Sequence, residues 1–563
     1  MMMSHLLSHR GSDGFSSVIS EEGWLTSAAE SKAYYAALLI VLLAILAPMW
    51  VVDYPGMVDY PNHLVRCYIL AHYHDNLIWQ QRYFLDHSPV PNLAIDLIVT
   101  PLLRILPLLV AGKVFLSLTA ALYVLGCSAV GRAVTGKPNW LALLCAFTFY
   151  NSALLYGFVN YVFGIGVFLC IFAFWLRIRN AMTPLRLLVC CLLSMVAYFT
   201  HLSSIAILGV ACVTIALLDF IRDHRIRRLF VNVIWLATPV LLMVGFMKSN
   251  GRVGILEWST VGGKLINLLS PVRSYSVAVD AGIIAVLIVC AVVILRGCKV
   301  HSIAVVSLVL LLLFLITPKT LFTSTSADSR YVIPCYLMLV LSIEPRWGRW
   351  QKAALAVALA AMLVRTGSIT SNWLTINHRN QQVLAMGDGL PAGAHIYALQ
   401  PVSSISAKLD RGFVHVIEFW TISHGADIST LFALPGQQPL VFRQTPCDVS
   451  ELDKCLDSYD FVWTYDPPAS ARQIILRHAV PATTWENVTL WRVNRTAAGA
   501  SIVWAKKSYR NGGSEISQKE ERSEYADPGE SRARRTWVFG KKYIVPGAVV
   551  MKANLIGCDR IRQ

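Results

Sequence analysis

The chain has 563 residues, of which 55% are hydrophobic and only 15% charged. A soluble chain of this length would divide into several cores and carry about 25% charge, so the composition excludes an ordinary soluble enzyme. The net charge of +16 reads as the positive-inside bias of a membrane protein. The basic residues punctuate apolar helices and form no single face with interleaved aromatics, so no nucleic-acid partner is expected.

The first 33 residues hold no basic-then-apolar-then-A-x-A pattern, so the first apolar run, 34–52, is expected to be a retained helix. Further apolar runs follow at 111–130, 140–156, 159–176, 186–200, 203–220, 229–247, 276–296, 302–317, 331–344 and 353–370. Lipid cannot satisfy open backbone groups, and about 20 apolar residues cross the hydrocarbon layer as a helix. The expected fold is therefore an all-α polytopic membrane domain over residues 34–370, with about eleven transmembrane helices. Charge tests that count. Arg132 with Lys137, Arg177 with Arg179 and Arg186, the group Arg222, Arg225, Arg227 and Arg228, Arg296 with Lys299, and Arg346 with Arg349 and Lys352 all fall inside if segment 1–33 is cytoplasmic. The stretch 93–108 carries Asp96, Pro101, Arg104 and Pro107. Counted as a crossing it would reverse every later loop, so it is read as a helix lying in the outer interface.

On that threading, residues 53–110 form a first periplasmic loop with juxtamembrane helices, and 248–275 form a second outer loop. Residues 371–505 read as a small periplasmic α/β domain, from the short runs HIYALQ, QPLVFR, FVWTYDP and TLWRVN separated by turns. The 13 cysteines sit mostly in apolar runs and form no CxxC pair, which argues against a zinc site. Cys447 and Cys455 fall in the outer domain, where pairing and free thiols are equally open. The polar, charged tail 506–563 is expected to be mobile and non-catalytic.

The same threading gathers the unusual polar residues on one side. Asp53 and Asp59 follow the first run, and Asn62, His63 and Arg66 open an amphipathic helix with Pro61 at its first turn. Asp96 lies on the second interfacial helix; Gly157, Asn160 and Gly164 mark an outer hairpin; His201 sits at an outer turn. Lys319, Asp328, Arg330 and Tyr331 precede or open the tenth run. Each has a structural alternative. Asp59 can cap the helix that follows, Arg66 can snorkel, His201 can be a polar turn residue, and Gly157 and Gly164 can serve helix packing. Lys319 and Arg330 run against the positive-inside trend and call for an anionic partner. Taken together, a carboxylate can accept a proton from an attacking hydroxyl or amine, and Lys and Arg can neutralise a phosphate leaving group. An amphipathic substrate with a lipid tail and a phosphate head fits this set.

At four places the chain resembles the GT-C class of integral-membrane glycosyltransferases. These are the acidic motif Asp59-Tyr-Pro-Asn-His-Leu-Val-Arg66 after one span, the Pro-led interfacial stretch PNLAIDLIVTPLLRILP before the second, the multi-span core, and Arg330-Tyr331-Val-Ile-Pro334 entering a late span. The resemblance implies a bacterial inner-membrane enzyme that moves a sugar from a polyprenyl-phosphate donor, with inversion, to a glycan, lipid or protein acceptor at the periplasmic face. It implies Asp59 as the base and Arg330, with Tyr331, at the donor phosphate. Many relatives carry an adjacent Asp-Glu pair, whereas Tyr60 follows Asp59 here. Asp53 or Asp96 would then be the second acid, which leaves metal use unknown and a divalent cation open. His63, Arg66, Asn160, His201 and Lys319 are further substrate-binding candidates from topology. Two other readings compete. A flippase of lipid-linked sugars would place ionisable residues at the midplane and show repeated halves; a polysaccharide polymerase or ligase would share the architecture.

Overall fold

The computed structural model describes residues 21–250, 255–322, 325–399 and 412–494; the tail 506–563 lies outside them. The chain is mostly helical. Among the described residues, seven helices are long and apolar enough to cross a membrane, at Glu30–Trp50, Leu108–Thr135, Val159–Ile178, Leu202–Asp223, Ile226–Val244, Val277–Ile294 and within Arg349–Ala385. The other expected spans fold as shorter apolar helices over Leu141–Tyr156, Pro184–Thr200, Ala304–Ile316 and Ser329–Leu341. The stretch read as interfacial forms Ala94–Leu102, nine residues with Pro101 near its end. At 1.5 Å per residue it extends only about 14 Å, too short to cross.

The helix Val159–Ile178 lies at the centre, with 83% of its apolar window buried. It packs along Leu108–Thr135, where Phe115 stacks on Phe163 with centroids 5.3 Å apart. A Cβ on Gly126 would stand 2.7 Å from Leu169, and one on Gly166 2.9 Å from Leu122. Small residues at both points let the two backbones approach closely, which is how helices gain packing where no hydrophobic drive exists.

The juxtamembrane helix Tyr60–His72 is clipped to Ala94–Leu102 by Arg66, whose Nε and Nη2 each donate to Asp96 at 2.8 Å. Both side chains are almost fully buried, at 2% and 5% exposure. Asn160 fixes the start of the second helix to the central one. Its Oδ1 accepts from the Ile95 N–H at 2.8 Å, and its amide donates to the Asn92 carbonyl.

The described residues form two compact units. One runs to Gly393 and includes 412–444; the other comprises 394–399 and 445–494. The boundary expected at 370/371 therefore differs from the folded one. It falls inside Arg349–Ala385, a single 37-residue helix, because the polar residues after 370 continue the helical turn without a breaker. The run QPLVFR also joins the first unit. Leu440–Phe442 pairs antiparallel with Tyr83–Leu85 of the first loop, a long-range pairing that no local pattern encodes.

The second unit is a small sheet with helices. Phe461–Tyr465 pairs in parallel with His395–Leu399 and antiparallel with Val488–Val493, which pairs with Ala479–Trp485. Leu399, Leu452, Leu456, Val462, Ile475 and Trp491 lie in its core. Cys447 and Cys455 are disulfide-bonded, which resolves the alternative that the spacing left open.

Removing one member of a buried ion pair leaves an uncompensated charge, at a cost of about 3–5 kcal/mol. Asp96→Ala is expected to lower the thermal unfolding midpoint of the detergent-solubilised protein sharply. The double change Arg66→Met with Asp96→Ala is expected to recover most of that loss.

Candidate functional site

The C-terminal end of the first apolar helix turns through Pro55 and Gly56 into Asp59. Asp59 occupies the N-cap position of Tyr60–His72, but its side chain makes no capping hydrogen bond. Backbone contacts hold it instead. The Asp59 N–H donates to the Tyr156 carbonyl at 3.0 Å, and the Val58 N–H to Leu155 at 3.3 Å. Gly157 lies against this backbone with φ +91°, and a Cβ there would stand 2.6 Å from the Asp59 nitrogen. Only glycine meets both demands at once, the left-handed backbone and the close approach.

With its cap role absent, the Asp59 carboxylate faces a histidine from far along the chain. His415 Nε2 lies 3.5 Å from Asp59 Oδ1, and His415 Nδ1 lies 3.7 Å from Glu418. This stretch reaches the site because Gly412 crosses Gly56 at close range; a Cβ on Gly412 would stand 2.9 Å from the Gly56 carbonyl. Asn62 ties the group together. Its Nδ2 donates to the Thr430 carbonyl at 2.7 Å and faces His415 Nδ1 at 3.1 Å. Its Oδ1 accepts from the Phe432 N–H at 2.6 Å. Glu418 is fully buried and accepts from the Thr430 hydroxyl at 2.6 Å.

Burial pushes the Asp59 carboxyl up to about 6, against the opposing pull of His415. Burial likewise raises Glu418. Burial, aided by Arg66 and His415, holds His63 well below the ordinary histidine range, so His63 is neutral near pH 7. The Asp59 side chain keeps one-fifth of its surface exposed. A partly accessible carboxylate with this titration range can take a proton from an incoming hydroxyl or amine.

A second polar group lies one turn along the central helix. The Tyr161 hydroxyl donates to the Arg330 backbone carbonyl at 2.7 Å, and the Tyr161 ring meets His201 edge-on at 5.5 Å. His201 Nδ1 accepts from the Ser203 N–H at 3.0 Å and so caps the next helix. The Arg330 side chain is half-buried; Nη2 donates to the Thr325 carbonyl at 3.3 Å, while Nε is buried without a partner. Tyr331 is half-buried beside it. Gly157, in the left-handed turn that precedes the helix, touches the Asp59 backbone, and Tyr161, in the first turn of the helix, reaches the Arg330 carbonyl.

The other expected site residues are arranged differently. Arg66 and Asp96 pair with each other inside the protein. Asn160 is buried in backbone hydrogen bonds. Asp53 is exposed, and no hydrogen bond or ion pair joins it to Asp59. Lys319 pairs on the surface with Glu257 at 3.1 Å, a weak contact of the exposed kind. The buried acid of that loop, Asp328, meets Lys264 at 3.0 Å and the Ser259 hydroxyl at 2.7 Å. Sequence reading missed His415 and Glu418. The signal available was a His and a Glu three residues apart within the apolar run FVHVIEFW, a pattern that marks paired polar groups in a core. Among the described residues, no group of three or more His, Cys, Asp or Glu side chains is arranged to hold a metal ion.

A scan against protein-family models finds no match, and a search of curated proteins finds none. Among solved structures, the chain is similar to the crystal structure of ArnT from Cupriavidus metallidurans bound to undecaprenyl phosphate. The TM-score is 0.51 at 12% identity, covering 85% of this chain and 99% of that chain. The apo crystal structure of the same protein gives 0.49 at 13% identity, with the same coverage. At 12% identity the first likeness is one of fold: this chain shares an ArnT-like membrane fold.

A carboxyl with a raised folded-state value favours the native state while it stays protonated. As pH rises from about 3.8 to about 6, the unfolded chain releases this proton first, and stability contributed by Asp59 is lost across that window. Asp59→Asn removes this dependence. Denaturant unfolding of the two proteins at stepped pH should show the stability of the variant gaining on wild type between those values.

Proposed function

We propose that the chain is an integral-membrane glycosyltransferase that moves a sugar from a polyprenyl-phosphate donor to an acceptor at the outer membrane face. The observation that carries this reading is the short segment Gly157–Tyr161, a left-handed turn leading into the central helix, which contacts the backbone of Asp59 at one end and of Arg330 at the other. It ties the backbones that carry a proton acceptor and a cation to one stretch of chain. The shared fold supports the same class, since ArnT is a GT-C glycosyltransferase and its structure holds undecaprenyl phosphate.

In the proposed step the acceptor hydroxyl or amine attacks the anomeric carbon while Asp59 takes its proton. The bond from that carbon to the phosphate oxygen breaks, its electron pair stays on the phosphate, and a single displacement inverts the centre. The buried, unpartnered Nε of Arg330 supports a role in meeting the phosphate charge, and Tyr331 and His201 flank it. His63 follows Asp59 one turn along the same helix, its N–H donating to the Asp59 carbonyl at 3.2 Å. Arg66, Asp96 and Asn160 serve by fixing the two juxtamembrane helices. Asp53 and Lys319 are left at the exposed rim.

Sidedness follows from opposite helix ends. Gly157 and Phe158 lead into the central helix, which closes at Arg177 and Arg179, and Leu108 opens the span that closes at Arg132. If the basic ends are cytoplasmic, as the positive-inside trend requires, the Asp59 end is periplasmic, with eleven crossings in all.

The direct test supplies purified protein with a panel of polyprenyl-phosphate sugars and measures released polyprenyl phosphate. Asp59→Asn is expected to cut turnover by about 10²–10⁴-fold, the usual worth of a general base. Arg330→Ala is expected to cost about 10²–10³-fold. Full activity in either variant would remove that residue's role. A reporter fused after Asn494 is expected to be active only outside the cytoplasm; cytoplasmic activity would overturn the sidedness.

A further inference from the structure

Asn62 has a defined orientation. Its Oδ1 must accept from the Phe432 N–H at 2.6 Å, and its Nδ2 must donate to the Thr430 carbonyl at 2.7 Å. A flipped amide would set donor against donor and acceptor against acceptor. The second hydrogen on Nδ2 lies nearer to His415 Nδ1, at 3.1 Å, than to Glu418 Oε1, at 3.4 Å. Glu418 Oε1 is the more distant partner of that ring nitrogen, at 3.7 Å against 3.1 Å for Asn62. His415 Nδ1 therefore presents its lone pair, and the ring proton resides on Nε2, the atom that faces Asp59 Oδ1 at 3.5 Å.

We infer that Asn62 sets the tautomer of His415 so that the imidazole Nε2–H points at Asp59 and keeps that carboxylate ionised and aimed. This rests on the reading of Asp59 as the base. His415 is then a positioning residue, acting through Asp59, and Asn62 acts through His415. Among the described residues, several titratable groups bear on this pair. Asp59, His63 and Arg66 lie on or at the head of the juxtamembrane helix, with Arg66 matched to Asp96. Glu418 lies on the strand of chain that carries His415, and Asp427 acts on Glu418 from beyond it. Burial disfavours the charged form of Glu418, which weakens its pull on a proton at Nδ1. The arrangement serves the reaction because a neutral donor supports the base without taking the proton that the base must accept.

Two measurements test this. In the first, polyprenyl phosphate release is followed against pH. His415→Ala is expected to move the acid limb, set near pH 6 by Asp59, upward by about one unit, a loss of about tenfold at the foot of the limb. His415→Gln, which keeps an N–H donor, is expected to restore much of the shift. An acid limb unchanged in a folded His415→Ala protein overturns the inference while leaving the base assignment standing. Full activity in Asp59→Asn would defeat the base assignment itself. The second measurement needs no active variant. Nitrogen-15 spectra of the wild-type protein labelled at histidine, in lipid bilayers above pH 7, should show His415 protonated at Nε2 and bare at Nδ1, with the resonance identified by its absence in His415→Gln. The opposite tautomer would overturn the inference.

Discussion

Asp59 is held by backbone. Its N–H and that of Val58 are bonded to the carbonyls of Tyr156 and Leu155, and Gly157 lies against its nitrogen and Cα at distances no side chain would permit. The end of the first span is thereby joined to the short helix Ser152–Tyr156 and the glycine turn after it without any flexible side chain in between. Backbone hydrogen bonds are short and directional, and glycine removes the atom that would force the segments apart. The carboxylate is left with one direction to face, and His415 occupies it. Gly56 and Gly412 repeat the device on the other flank, letting the stretch that carries His415 and Glu418 cross the turn before Asp59.

Charge balance separates scaffold from site. Arg66 with Asp96, and Lys264 with Asp328, are buried pairs with the hydrogen bonds that burial demands. They clip loops and short helices to the core. Arg365, fully buried in the long helix Arg349–Ala385, does the same for carbonyls, donating to Val272 at 2.8 Å and to Tyr150 at 2.6 Å. Asp59 and Arg330 differ. Among the described residues, the Asp59 carboxylate meets a histidine, at long range and partly in the open, and Arg330 keeps a buried nitrogen without a partner. Groups left incompletely matched in a low-dielectric setting are those with the most to gain from a substrate.

The central helix explains why these features coincide. It is the most buried of the long helices, and its first turn, with the glycine that precedes it, touches both halves of the site. Asn160, on that same turn, fixes the start of the helix that carries Asp96. Rigid support of this kind is what a site needs to hold reacting groups to within a fraction of an ångström.

Several features were legible from the residues alone. Apolar run length marked where the helices lie, since lipid admits little else, and the interruptions at Asp96, Pro101 and Arg104 identified a segment too broken to cross. The acidic motif after the first run and the Arg-Tyr entering a late one were visible as polar residues in unusual settings. Tertiary structure decided the rest. Whether Arg66 snorkels, meets a ligand or pairs with Asp96 depends on how two helices 30 residues apart in the chain pack, and no local pattern carries that. His415 and Glu418 lie more than 350 residues beyond Asn62, in a run whose apolar neighbours suggest only a core. Their approach depends on two glycines permitting a backbone crossing. Hydrophobic periodicity reports what each segment does against lipid or core, whereas a site is assembled by contacts between segments, and those exist only once the chain has folded.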